Sequence, residues 1–200
     1  MTPFEIIGAP LTLWAAPIGT AFPIISAAPG AAWTRLGTNG DRNYENGGVT
    51  VNHSRSYDKV RTAGATGPVK AFLSEEDLMF GVTLLDITLE QYAYALNGNT
   101  ITTVAPATGV PGTKRIGLSE APGLTREYAL LARGLSPYNE ALPLQFEVPR
   151  CFQSGSPQPV FRKGGSGAGL ALQFTALENL SATSAEERFG LIRAAHLPGL

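Results

Sequence analysis

One cysteine, two histidines, two methionines and two tryptophans are all that 200 residues contain of these types. With Cys151 alone, the chain can form neither an internal disulfide nor a cysteine-based metal centre, and it fits a protein assembled inside a cell. His53 and His196, the only imidazoles, stand far apart in sequence. Charge is also scarce. Lys, Arg, Asp and Glu make up 16% of the residues and leave a formal net charge of −1, against a charged fraction of about 25% in ordinary domains. A near-neutral chain lacks the basic surface that gripping nucleic-acid phosphates requires. It also has no electrostatic reason to keep its copies apart.

What is abundant is glycine and proline, 23 and 15 residues, scattered rather than repeated, which reads as many turns. The 44% hydrophobic content suffices for one packed core. Between Glu5 and Arg35 lie 29 residues without charge. Their length would allow a membrane span, but Pro10, Pro17, Pro23 and Pro29 interrupt any helix. No basic segment precedes them, so an export signal is not indicated either. The stretch reads as an extended arm, residues 1–32, with Trp14, Ile18, Phe22, Ile24 and Ile25 as apolar anchors. It would lie on its own core or across a neighbour.

From Gly48 the pattern has period two. Val49 and Val51 alternate with polar residues, and a second run, VKAFLS at 69–74, follows a Gly-rich stretch. The two form a long hairpin with a basic tip carrying His53, Arg55, Lys59 and Arg61. Residues 78–87 are apolar and lead into the one convincing helix, about 88–97. There Thr88 and Gln91 have capping-box spacing, Leu89, Tyr92, Ala93 and Leu96 form a stripe, and Asn97-Gly98 ends it. Further strands are expected at 100–104, 114–118, 126–133, 142–149, 159–163 and 170–177. In the fourth, Leu142, Leu144, Phe146 and Val148 should face inward, with Gln145 and Glu147 in water. The fold class is therefore mainly β: an antiparallel sandwich or partial barrel over 33–190, one flanking helix, and a tail at 191–200.

Catalytic patterns are missing. ATGVPGTKR at 107–115 lacks the residue order of a phosphate-binding loop. GSGAG at 165–169 precedes a strand and reads as a hairpin loop, and no Gly-x-Ser-x-Gly elbow occurs. Cys151 with a histidine has no local support as a nucleophile–base pair. Glu75, Glu76 and Asp77 lack the alternating oxygen ligands of a calcium loop and read as a solvated strand edge. No enzyme, cofactor or metal is expected. Charge is polarised along the chain. Residues 35–70 carry six basic and three acidic side chains, whereas 71–150 carry five and nine, a difference suited to head-to-tail contact between copies.

The order of segments over about 33–190 resembles the major tail tube proteins of long, non-contractile-tailed bacteriophages. AWTRLGTNG (32–40) is similar to that family's opening. GGVTVNHS, KVRTAG and GPVKAFLSEED are similar to its next strand, loop and strand, and MFGVTLLDITLEQYAYALNGN (79–99) to its strand feeding a single helix. LLARGLSPYNEALPLQFEVPRCFQSG and PVFRKGGSGAGLALQFTALEN resemble its late strands. The resemblance implies homo-hexameric rings whose strands join around a channel. Such rings would stack into a virion tail tube that conducts DNA from capsid to host without binding it. Tape measure, tail terminator and distal tail proteins would be its partners, with no membrane involved. On that footing the hairpin with His53, Arg55, Lys59 and Arg61 would stack rings, and the arm with Trp14, Ile18 and Phe22 would touch a neighbour. A single-ring tail or secretion component such as a terminator, and a β-sandwich binding module, are the alternatives.

Overall fold

The structure is a computed structural model that describes residues 10–119, 123–135, 142–161 and 167–195. It is mainly β, as the alternation requires. Ten strands are β1 (Thr12–Pro17), β2 (Thr34–Arg35), β3 (Tyr44–Val60), β4 (Lys70–Leu84), β5 (Ile101–Val104), β6 (Thr113–Ile116), β7 (Glu127–Leu135), β8 (Pro143–Gln153), β9 (Leu170–Ala176) and β10 (Leu191–Ala194). The one α-helix among the described residues, α1, spans Leu89–Ala95. All but β5 and β6 belong to one antiparallel sheet of order β2-β1-β7-β8-β9-β4-β3. β8 pairs with β7 along one edge, and its other edge is shared by β9 at Cys151–Gln153 and β10 at Leu144–Glu147. There the sheet turns over on itself. Leu13, Tyr128, Leu130 and Val148 from one half pack with Phe80, Val82, Leu84, Leu170, Leu172 and Phe174 from the other in a single core. Edge-to-face pairs Phe80–Phe146 and Tyr128–Phe174 join the halves.

The N-terminal stretch is the main correction to the sequence reading. Its residues 12–17 are not an arm but a strand inside the sheet, between β2 and β7. Leu13 and Ala15 enter the core, while Trp14 and Ala16 turn to the opposite face. The prolines permit this because Pro10 precedes the strand and Pro17 ends it. The tail is corrected likewise: Leu191–Ala194 pair with β8. Helix α1 starts where its cap sets it, with the Gln91 backbone N–H donating to Thr88 Oγ1 at 3.2 Å. It ends on Asn97 and Gly98 at φ 56° and 71°. Its most buried residues, however, are Gln91 and Ala95 rather than the Leu89–Leu96 stripe, because Gln91 turns inward to donate to the Arg35 carbonyl. The described part of the strand expected at 159–163 is irregular, with Val160 and Phe161 exposed; Arg162 and Lys163 lie outside the described residues.

Candidate assembly surfaces

β3 and β4 form a hairpin far longer than its support. β9 covers β4 only from Leu84 to Met79. Beyond that rung, from His53–Leu78 out to Val60–Lys70, the hairpin is a two-stranded ribbon that pairs with nothing else among the described residues. The acidic triplet, read from the sequence as a solvated strand edge, is part of a strand itself. It lies inside β4, paired across to Ser54, Arg55 and Ser56. Of the four basic residues assigned to the tip, only Lys59 and Arg61 are there; His53 and Arg55 sit at the ribbon's root. One extra residue in β4, Ser74, separates the rungs Ser56–Glu75 and Tyr57–Leu73 as a β-bulge. Its hydroxyl donates to the Ser56 carbonyl at 3.1 Å.

Because strand residues alternate, the ribbon has two faces of different chemistry. One carries Val51, His53, Arg55, Tyr57 and Lys59 with Leu78, Glu76 and Leu73. There Glu76 takes the His53 ring nitrogen at 2.6 Å and Arg55 Nε at 3.3 Å. This face overhangs the segment 185–192, and between them runs a groove of about 750 Å³ floored by Phe146, Val148 and Phe189. Glu178 on its rim is paired with Arg188 at 2.9 Å. Glu186 and Glu187, in a single 3-10 turn, have no ion pair among the described residues.

The other face continues onto the sheet body. It presents Thr50, Asn52, Ser54, Ser56 and Asp58 of β3, Glu75, Asp77, Met79, Gly81 and Thr83 of β4, and Ala171, Gln173 and Thr175 of β9. Apart from Met79 these side chains are small or polar and the charges among them are all acidic; nearer the tip the same face carries Phe72, Val60 and its first cation, Lys70. Gly81 fits because Thr50 Oγ1 lies 2.7 Å from where a Cβ would stand. Apolar residues nevertheless stay in water along the ribbon: Tyr57, Val60, Val69, Phe72 and Leu73 are each about half exposed.

The rest of the uncharged stretch is a strap over the outside of β1, β7 and β8. Phe22 stacks on Trp33 at 5.1 Å, and Trp33 Nε1 donates to the Ala21 carbonyl. With Trp14 they cover Ala16, Ala129 and Leu131 in a second small core. Arg133 donates to the carbonyls of Ile24 and Ala27, and Gln145 to that of Pro23. The face of β8 expected in water is therefore sealed: Gln145 is fully buried and Glu147 nearly so, with Arg193 of β10 donating to Glu147 at 2.8 Å. Burial pulls the Arg133 guanidinium below its ordinary range, and Glu147 partly offsets this. So of the three arm residues singled out, Trp14 and Phe22 spend their apolar surface within their own chain, and Ile18 remains half exposed. Sequence reasoning missed this network because its partners sit more than 100 residues apart.

The Cys–His pair weighed from the sequence is not assembled among the described residues. The Cys151 thiol is buried, donates to the Tyr128 carbonyl, and is pushed well above its ordinary range by that burial. His53 is engaged with Glu76, and His196 lies outside the described residues. Among the described residues no group of three or more His, Cys, Asp or Glu side chains could hold a metal ion. The acidic triplet is split between the ribbon's faces. Residues 107–110 close a turn ahead of β6, and the described end of the 165–169 loop leads into β9. Among the described residues no helix is long and apolar enough to cross a membrane. No family model and no curated protein matches the sequence of the chain.

Proposed function

We propose that this chain is a structural virion protein, a subunit that closes into homo-hexameric rings which stack into a tail tube conducting DNA. The observation that carries the reading is the ribbon. A two-stranded hairpin is marginal in water on its own. This one extends eight rungs past its last supporting strand with apolar residues exposed, and such surface marks an interface. A bare edge 17 residues long on β3 adds a second demand for a partner. Copies joined in a ring through unlike surfaces meet both demands. The face built from β3, β4 and β9 suits the channel. A conduit must not hold its cargo, and a wall rich in Thr, Ser, Gly, Asn and Gln, whose charges short of Lys70 at the tip are acidic, offers phosphates little counter-charge. The order of segments resembling the tail tube family points the same way. Tape measure, terminator and distal tail proteins are then the neighbours at the ends of the tube.

The test is microscopy of the purified protein by negative stain. Rings and tubes are expected. Replacing residues 57–74 by Asn-Gly, a turn that closes hairpins, should leave a folded subunit that builds no tube. A wild-type protein that stays monomeric at high concentration overturns the reading. Rings of wild type that never stack would favour a terminator-like role.

A further inference from the structure

We infer that the groove beneath the ribbon's root is the socket for the ribbon tip of a second copy of this chain; the inference rests on the assembly reading above. The groove and the tip are each incomplete. The groove exposes Tyr57, Leu73 and Ile192, and its volume of about 750 Å³ holds a few side chains rather than a domain. The tip exposes Val60, Val69 and Phe72. Their unspent charges are opposite in sign. Glu186 and Glu187 stand at the groove, and Lys59, Arg61 and Lys70 at the tip, and none of the five has an ion pair among the described residues. Asp58 is the one acidic residue at that end, leaving residues 58–70 at a net +2. Among the described residues Arg61 makes one hydrogen bond, from Nη1 to the Thr66 carbonyl.

A chain cannot fill its own socket. Val60 lies three residues beyond Tyr57, the outermost β3 residue lining the groove, along an unbroken strand, roughly 10 Å at extended rise, directed away from the groove. The occupant is therefore another copy, displaced along the ribbon. Tip and groove are unlike surfaces, so each copy offers a free tip and a free groove, and the contact propagates rather than closing in a dimer.

Paired cysteines test the geometry. Lys59→Cys or Lys70→Cys mixed with Glu187→Cys should give disulfide-linked dimers between the two variants under mild oxidation, with the native Cys151 too buried to compete. Glu186→Lys with Glu187→Lys should abolish stacking, and Lys59→Glu with Lys70→Glu should restore it when both sets are combined in one chain. Melting curves matching wild type would show that the exposed substitutions leave the fold intact. Tubes that form normally in the charge-reversed variant, or tubes without cross-linking, overturn the socket and leave the assembly reading standing. A wild-type protein that neither assembles nor cross-links at high concentration overturns both.

Discussion

Arg133 on β7 and Gln145 on β8 are direct partners in the sheet, and the guanidinium donates to the carboxamide oxygen at 3.0 Å. Each also reaches outward to the strap, Arg133 to two of its carbonyls and Gln145 to a third. A rung of the sheet thus clamps a segment that lacks regular structure and supplies no charge of its own. Backbone carbonyls covered this way must find donors, and a planar guanidinium satisfies two at once.

Replacing Arg133 by alanine should therefore loosen residues 18–32 before it unfolds the sheet. A loss of about 1.5–3 kcal/mol is expected in chemical denaturation, the scale of hydrogen bonds to a charged group. Limited proteolysis should begin within the strap. Arg133→Lys should recover little, because an ammonium cannot reproduce the fork. Denaturation curves and cleavage sites equal to wild type would remove the clamp from the account.

Tyr44 and Tyr128 make opposite predictions from similar burial. Tyr44 accepts from the Leu13 N–H at 3.0 Å and donates to the Leu36 carbonyl at 2.8 Å. The Tyr128 hydroxyl is buried with no hydrogen-bond partner among the described residues. Tyr44→Phe strands a buried donor and acceptor and should cost about 1–3 kcal/mol. Tyr128→Phe removes an unpaired hydroxyl and should be neutral or stabilising, as thermal melting can show.

Both phenols are also pushed up to about 12, by burial in each case. A raised phenol pKa means the unfolded chain ionises first, near pH 10. Stability is then full below about pH 10 and falls as pH rises toward 12. Discounted for partial solvent screening, each tyrosine should account for roughly 1–2 kcal/mol of that fall. Stability measured between pH 9 and 12 should decline less in either Phe variant than in wild type. Equal slopes would show that other groups govern the alkaline limb.

Gly190 turns the chain from the 3-10 segment into β10 at φ 127°, and a Cβ there would stand 2.0 Å from the Glu147 carbonyl oxygen. No side chain can be fitted without moving β10 off β8. Gly190→Ala should release Arg193 from Glu147, leaving a nearly buried carboxylate without its cation, at a cost of about 3 kcal/mol or more. Hydrogen exchange should report it as lost protection at Leu191–Ala194. Unchanged protection there would contradict the packing described.

What could be read in the sequence was what local pattern determines. The alternation of Leu170, Leu172 and Phe174 gave β9 within one residue, and the Thr88 cap with Asn97-Gly98 bounded α1. Gln145 and Glu147 show where that logic stops. Their alternation with leucine and valine places them correctly on the outer face, but whether that face meets water depends on a strap far away in sequence. β1 is hidden in the sequence because its prolines look like breakers, yet they only mark its ends. The ribbon was seen in pieces because three acidic residues interrupt its apolar pattern, a normal sequence for strands wet on both sides. The pairing of His53 and Arg55 with Glu76, which moves half the expected basic tip to the groove, needs the register and so needed the structure.

The bulge at Ser74 has a consequence for how this sequence can change. Past it, β4 shows Leu73 and Ala71 to the groove side and Phe72 and Lys70 to the other. Losing or gaining one residue in either strand of the ribbon would exchange those two sets. The loop 62–68, between the tip residues Arg61 and Val69, lies beyond the last rung, where length carries no parity. Drift among relatives of this chain should therefore gather in that loop, while the rungs inward of it change by substitution and keep their count.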